Sequence, residues 1–229
     1  MAYTKPTDRN KSWAIRKIPK VRELKSLEIR NLFRIYCEGE NTEPEYFKSF
    51  PVNTETKVEA IGLGRSKTAL VEKTIQLLSQ DQLLKRQKNY DADRQLWVVF
   101  DYDIRREANE AFDFNRAIEV AHQNGLNVAY SNDSFELWFL LHRRYHDTAI
   151  TRKEYYEILS SELNCNYEEV GKTKEFSRNL YQIFLPKQNE AIQNARHLYS
   201  MHQYLNYQEQ NPCTTVFQLV EELNKCLKK

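Results

Sequence analysis

The chain has 229 residues, which is enough to bury one sizeable core. Its 12% aromatic content excludes a disordered tail, and its five glycines argue against a turn-rich β-sandwich. No apolar run approaches the roughly 20 residues that span a bilayer, and no signal-peptide stretch follows the basic N-terminus. The four cysteines are widely spaced and contain no C-x-x-C pair, so we expect reduced thiols in a cytoplasmic protein.

The net charge of +2 hides an asymmetry along the chain. Residues 1–30 hold nine Lys or Arg against three acidic residues, whereas the remainder is mildly acidic. We interpret residues 1–30 as a basic N-terminal arm. It suits contact with a phosphate backbone, and a solvated terminus accounts for it equally well.

The first part of the chain alternates between strand and helix patterns. Four short apolar segments are predicted to be strands: 32–37, 57–62, 95–100 and 126–131. Helices are predicted between and after them: one opened by a capping box of Thr42 and Glu45, one after Ser66, one over 106–123 that stops at Asn124-Gly125, and one over 133–146. This alternation predicts an α/β fold with a mostly parallel central sheet flanked by helices.

The C-terminal third is predicted to be helical. Helix signals occur over 151–163, where Thr151 and Glu154 form a capping box, over 188–208, and after "NPCTT" near the end. We therefore divide the chain into the arm of residues 1–30, an α/β core of residues 31–145, and a helical elaboration of residues 146–229 that packs on the core as a layer.

Acidic residues follow two of the predicted strands. Glu38 comes directly after the strand 32–37, and Asp101 and Asp103 follow the apolar "LWVVF". The carboxyl ends of parallel strands form the ligand-binding edge of an open sheet, so these acids are candidates for one site. Hard oxygen ligands favour Mg²⁺ or Mn²⁺, which supports phosphoryl transfer. The alternative is that Asp101 caps a turn and Asp103 is exposed to solvent.

Three stretches, "CEGENTEPEYF", "VVFDYD" and "SNDSFELWFLLH", together resemble the RloB-like family, and the resemblance extends over about residues 31–224. The core of that family is similar to a Toprim domain, which places a Glu after its first strand and D-x-D after its third. Glu38, Asp101 and Asp103 match those positions. Asp133 departs from the family pattern, which commonly has Pro or a small residue there. The resemblance implies a Toprim-like nuclease of bacterial phage-defence or abortive-infection modules, with an AAA-type ATPase partner encoded nearby.

Two further candidates lie after the fourth predicted strand. Glu136 would hold a second cation, as expected of two-metal nucleases of the Toprim type, or would close a capping box with Asp133. His142 is a candidate catalytic residue because it titrates near neutral pH, and the alternative is a packed core histidine.

Two pairs of basic residues are candidates for binding the nucleic-acid backbone. Arg65 and Lys67 lie in a predicted strand-to-helix turn, and Lys172 and Lys174 lie in "GKTKEFSR". A solvated charged face accounts for the second pair equally well.

The sequence thus predicts a Mg²⁺- or Mn²⁺-dependent endonuclease with catalytic residues Glu38, Asp101, Asp103, Glu136 and His142. One alternative is a haloacid-dehalogenase-like phosphatase with Asp101 as its nucleophile. Another is a non-catalytic nucleic-acid-binding or effector subunit of an ATPase-containing defence complex. The sequence leaves open whether the substrate is DNA or RNA and whether the protein forms a homo-oligomer.

Overall fold

The described part of the chain begins near the end of the predicted basic arm. A computed structural model of the protein describes residues 29–81, 93–103 and 109–228, so almost all of that arm and the start of the predicted helix 106–123 lie outside the described residues. The strands are β1 (Asn31–Cys37), β2 (Thr56–Gly62), β3 (Asp93–Asp101), β4 (Asn127–Asn132) and β5 (Cys213–Thr214). The helices are α1 (Thr42–Lys48), α2 (Lys67–Gln80), α3 (Glu110–Gln123), α4 (Glu136–Leu141), α5 (Arg152–Leu163), α6 (Tyr167–Val170), α7 (Lys174–Phe184), α8 (Gln188–His202) and α9 (Val216–Asn224).

The five strands form one sheet in the order β2-β1-β3-β4-β5. The pairs β1–β2, β1–β3 and β3–β4 are parallel, and the short β5 pairs with β4 in the antiparallel direction. The predicted α/β fold with a mostly parallel sheet flanked by helices is therefore confirmed. The short strand β5 was not predicted, because two residues are too few for a periodic pattern.

Alternate residues of the strands face two separate apolar layers. Ile35 and Cys37 of β1 belong to a cluster with α1, α4 and the C-terminal helices, whereas Tyr36 between them belongs to a cluster with α2 and α3. Both faces of the sheet are thus covered, which explains the nearly continuous apolar character of "LWVVF" in β3. Among the described residues, no helix is long and apolar enough to cross a membrane.

The C-terminal helices share a core with the α/β segment. Their buried side chains lie in the same cluster as β1 and α4, and include Tyr155, Leu159, Leu180, Leu198 and Leu219. Of the helix signals in this segment, the capping box of Thr151 and Glu154 is confirmed at the start of α5. Helix α7 was not predicted, and α8 ends at His202, earlier than the predicted residue 208.

Two predicted capping boxes are wrong. Helix α1 has Asn41 as its N-cap, and the Glu45 carboxylate pairs with Lys48 and Arg178 instead of closing a box with Thr42. Helix α4 is shorter than the predicted 133–146 and begins at Glu136. The predicted capping box of Asp133 and Glu136 is therefore absent from α4. Asp133 accepts a hydrogen bond at the start of another helix, α5, and Glu136 lies among the buried acids described below.

Candidate functional site

Glu38 and Asp101 lie next to each other at the carboxyl edge of the sheet. Strands β1 and β3 are direct neighbours with Cys37 paired to Val99, so the residues that follow these strands meet. The backbone N–H of Glu38 donates to Val99 O over 2.8 Å, and Asp101 N–H donates to Glu38 Oε2 over 3.4 Å. Strand β2 lies on one side of β1 in the sheet, and β3 lies on the other side. The strand order therefore reverses at β1 and β3, and the two acids flank this topological switch point.

Burial perturbs both carboxyl groups. It raises the pKa of Glu38 to about 7, and Glu43 adds to the rise, while the positive charges of Lys67 and Arg152 and the Asp101 N–H oppose it. Burial also raises the pKa of Asp101 well above its ordinary value. The Arg152 guanidinium opposes this rise, and the carboxylates of Glu43, Glu38 and Glu136 add to it. The acids of this edge therefore share one electrostatic environment.

Glu136 is a further buried acid at this edge of the sheet. Its side chain is 2% exposed, accepts a hydrogen bond from the Ser134 hydroxyl, and lies 3.7 Å from Lys172 Nζ. Lys172 is held there by its backbone, because its carbonyl oxygen accepts from the Asn41 amide over 3.0 Å.

Glu43 is a buried acid of the cluster that sequence reasoning missed. Its pKa is raised by burial first and by the Glu136 carboxylate next, while the backbone N–H of Gly39 donates to it. A Cβ at residue 39 would collide with the Glu43 carboxylate, so the lack of a side chain at Gly39 leaves room for this carboxylate beside the end of β1. The hydrogen bond from Trp138 Nε1 to Tyr46 Oη, 3.0 Å long, joins the two helices that carry Glu43 and Glu136.

Asp103 joins the site through Arg152. One terminal nitrogen of Arg152, Nη2, lies 3.3 Å from Asp101 Oδ2, and the other, Nη1, lies 3.6 Å from Asp103 Oδ2. The backbone N–H of Arg152 donates to Asp133 Oδ2 over 3.1 Å, so Asp133 caps α5, not α4. Sequence reasoning missed Arg152 because it lies inside a well-formed capping box.

The four basic residues predicted to bind the nucleic-acid backbone differ in their surroundings. Lys67 is buried, pairs with Glu110, and lines a cleft of about 280 Å³ together with Glu38, Asp103 and the exposed Arg65. Lys172 is half-exposed beside Glu136, and its ammonium lies 5.4 Å from the centre of the Tyr156 ring. Lys174 is exposed at the first position of α7.

His142 lies in the aromatic core, away from this edge. Its ring is 1% exposed and lies 4.7 Å from Trp138 and 5.0 Å from Phe184, measured between ring centres. Nδ1 lies 2.8 Å from the Trp138 carbonyl oxygen, to which its N–H donates, and burial lowers the pKa of His142 to about 4. His142 therefore has the surroundings of a packed core histidine, and it does not lie beside the carboxylates.

The donor chemistry of this edge fits a divalent cation. Carboxylate oxygens are the ligands that Mg²⁺ and Mn²⁺ prefer, and a bound cation would oppose both the burial and the repulsion between acids that raise the pKa of Asp101. Among the described residues, however, no three His, Cys, Asp or Glu side chains converge closely enough to hold one ion. Coordination by three of these acids therefore needs a change of side-chain rotamers.

A family model described as RloB-like protein matches residues 33–223 of the chain. The matched segment contains the acids described above and their two basic partners: Glu38, Glu43, Asp101, Asp103, Glu136, Arg152 and Lys172. No curated protein and no solved structure matches the chain.

Proposed function

The chain belongs to the RloB-like family, and from that membership and this site we propose that it is a nuclease that hydrolyses phosphodiester bonds with Mg²⁺ or Mn²⁺. The observation that carries the proposal is the contact between Glu38 and Asp101 at the ends of neighbouring parallel strands. We further propose that the core is Toprim-like in function, with Glu38, Asp101 and Asp103 as the residues that would hold the cation and Glu136 as a further ligand.

When bound, the cation supplies positive charge to the phosphoryl oxygens and lowers the pKa of water. The side chains supply the rest of the chemistry. Glu38, at the end of β1 beside Asp101, would act either as a ligand of the cation or as the general base that takes a proton from the attacking water. The ammonium of Lys67, held beside Glu38 by Glu110, is placed to stabilise negative charge that develops on the phosphate.

Nucleic acid is the proposed substrate. We propose that Arg65 and Lys67 contact its backbone on the β2 side of the acids, and that Lys172 and Lys174 contact it on the α7 side. Arg65 and Lys174 are exposed and Lys172 is half-exposed, so a phosphate can reach them. The buried Lys67 would be reached only through the cleft that it lines with Glu38 and Asp103. A role in phage defence with an AAA-type ATPase partner is part of the same proposal and is what the family resemblance implies. The widely spaced cysteines support a location in the cytoplasm.

A second candidate is a non-catalytic nucleic-acid-binding subunit. The observation that favours it is the guanidinium of Arg152, which contacts both Asp101 and Asp103 and supplies a positive charge to them without a metal ion. Salt-sensitive binding of nucleic acid by the metal-free protein, with no cleavage under any metal, would support this second candidate over the nuclease.

The test is an endonuclease assay on single- and double-stranded DNA and RNA with Mg²⁺, Mn²⁺ or EDTA. We expect Glu38→Gln and Asp101→Asn to lower the cleavage rate by about 100-fold or more, because each removes a charged group of the reacting site. The matched controls are Glu162→Gln and Asp147→Asn, which change the same chemical groups at exposed positions. Cleavage by the two site variants at the wild-type rate would refute the proposal.

A further inference from the structure

We propose that Arg152 is an internal counter-ion that competes with the divalent cation for Asp101 and Asp103. In the metal-free protein its guanidinium offsets part of the negative charge of the two acids, and it leaves them when the cation binds. This inference rests on the proposed function, because it assumes that the two aspartates bind a cation.

The first support is the geometry of the contact. The guanidinium does not grip one carboxylate with two parallel hydrogen bonds, as the strongest Arg–carboxylate pairs do. It divides its two terminal nitrogens between Asp101 and Asp103, at 3.3 and 3.6 Å. Both distances exceed the roughly 2.7–2.9 Å of a good charge-assisted hydrogen bond, so the contact is suited to exchange.

The second support is burial. The two carboxylates are 11% and 20% exposed, so they need a positive charge nearby when they are ionised. The Arg152 side chain is 31% exposed, so it has access to solvent. Its buried Nε–H donates to none of the described residues, which leaves this donor for another acceptor.

The third support is the position of Arg152 on its helix. It is the first residue of α5, where the positive end of the helix dipole disfavours a cationic side chain. Asp101 and Asp103 offset that cost in the metal-free protein. A divalent cation on the same acids would repel the guanidinium together with the dipole, and both forces would act in the same direction.

The fourth support is a fixed backbone with room beside it. Asp133 and the capping box of Thr151 and Glu154 hold the start of α5, so the side chain of Arg152 can turn away without a shift of the helix. A cleft of about 390 Å³, lined by Asp103, Asp133, residues 149–154 and Asn211, adjoins the guanidinium. After exchange, a phosphate of the substrate is an acceptor of suitable charge for the released guanidinium.

The experiment is isothermal titration of the full chain with Mn²⁺ near neutral pH. Arg152→Gln removes the competing charge, so we expect it to bind Mn²⁺ about tenfold more tightly than the wild type. Arg152→Lys keeps the positive charge on a shorter side chain that lacks the guanidinium fork, and we expect an intermediate affinity. Arg144→Gln, at an exposed arginine outside the cluster, is the control and should bind as the wild type does.

A second readout follows the thermal midpoint of the same proteins with EDTA and with Mn²⁺. We expect Arg152→Gln to lower the metal-free midpoint and Mn²⁺ to raise it by more than in the wild type. If Arg152→Gln does not fold, Arg152→Lys carries both measurements. Equal or weaker Mn²⁺ binding by the variants, with binding by the wild type intact, would overturn this inference and leave the nuclease proposal standing. A lack of Mn²⁺ binding by every protein, including the wild type, would overturn both.

Discussion

Replacing Glu38 by Gln tests the electrostatics of the site without any substrate. The amide keeps the shape of the side chain and still accepts the hydrogen bond from Asp101 N–H, but it does not titrate. In the wild type, burial raises the pKa of Glu38 from 4.5 to about 7, although Lys67 and Arg152 oppose the rise. The folded protein therefore binds this proton more tightly than the unfolded chain does.

The sign and size of the effect follow from proton linkage. Between about pH 4.5 and pH 7 the folded state binds more protons, so the Glu38 carboxyl makes the wild type less stable as pH rises through that window. The shift corresponds to a cost of about 1 kcal/mol near pH 5 and about 3 kcal/mol near pH 8. Glu38→Gln removes this cost, so we expect the variant to be more stable than the wild type by up to about 3 kcal/mol near pH 8.

The assay is urea denaturation in EDTA at about pH 5 and about pH 8, with Glu162→Gln as the control at an exposed position. The difference in unfolding free energy between Glu38→Gln and the wild type should grow with pH, whereas that of the control should stay near zero. A variant that is equally or less stable than the wild type at the higher pH would refute this description of the site. Together with lost cleavage, a gain in stability would identify Glu38 as a residue kept at a cost to the fold.

Two further predictions concern the scaffold. Gly62→Ala should lower the unfolding free energy by about 1–3 kcal/mol, because its Cβ would collide with the backbone of Gly39 and Glu40. Gly125→Ala introduces a Cβ with no neighbour within 4 Å, so only the strain of φ +72° should act, and we expect a loss of about 1 kcal/mol. Equal losses of unfolding free energy for the two glycine variants in urea denaturation would contradict this prediction. His142 has its pKa lowered to about 4, so the wild type loses stability as pH falls from about 6.5 towards 4. His142→Phe should flatten that acid limb in a pH series of thermal melts and keep cleavage at neutral pH, and an unchanged limb would count against this.

The pairing of Glu38 with Asp101 could be predicted from the sequence because two simple rules combine. Each acid ends an apolar strand, and strand–helix alternation makes the strands parallel, so their ends share an edge. No rule of this kind requires the two strands to be direct neighbours. The sheet order supplied that fact, and with it the contact between Glu38 and the backbone of Asp101.

The rest of the cluster depends on contacts that local patterns do not encode. Glu43 lies in the first turn of α1, where an acid usually interacts with the helix dipole. Its position against Gly39 and near Glu136 depends on the tertiary structure, which no local pattern encodes. Asp133 caps a helix 19 residues further along the chain, which no local capping rule detects. Arg152 did leave a signal, because an arginine at the first position of a helix opposes the dipole and calls for another partner.

The residues of the site are translated in a fixed order, and the shared core is completed last. Every acid of the cluster precedes residue 145 in the chain, whereas Arg152 and Lys172 follow it, as do the helices α5 and α8 that pack on α4. The strand β5 and helix α9, which complete the sheet edge and the core, are translated almost last. A ribosome therefore translates these acids before Arg152, Lys172 and the C-terminal helices, so the acids and their later partners can come together only when most of the chain has been made.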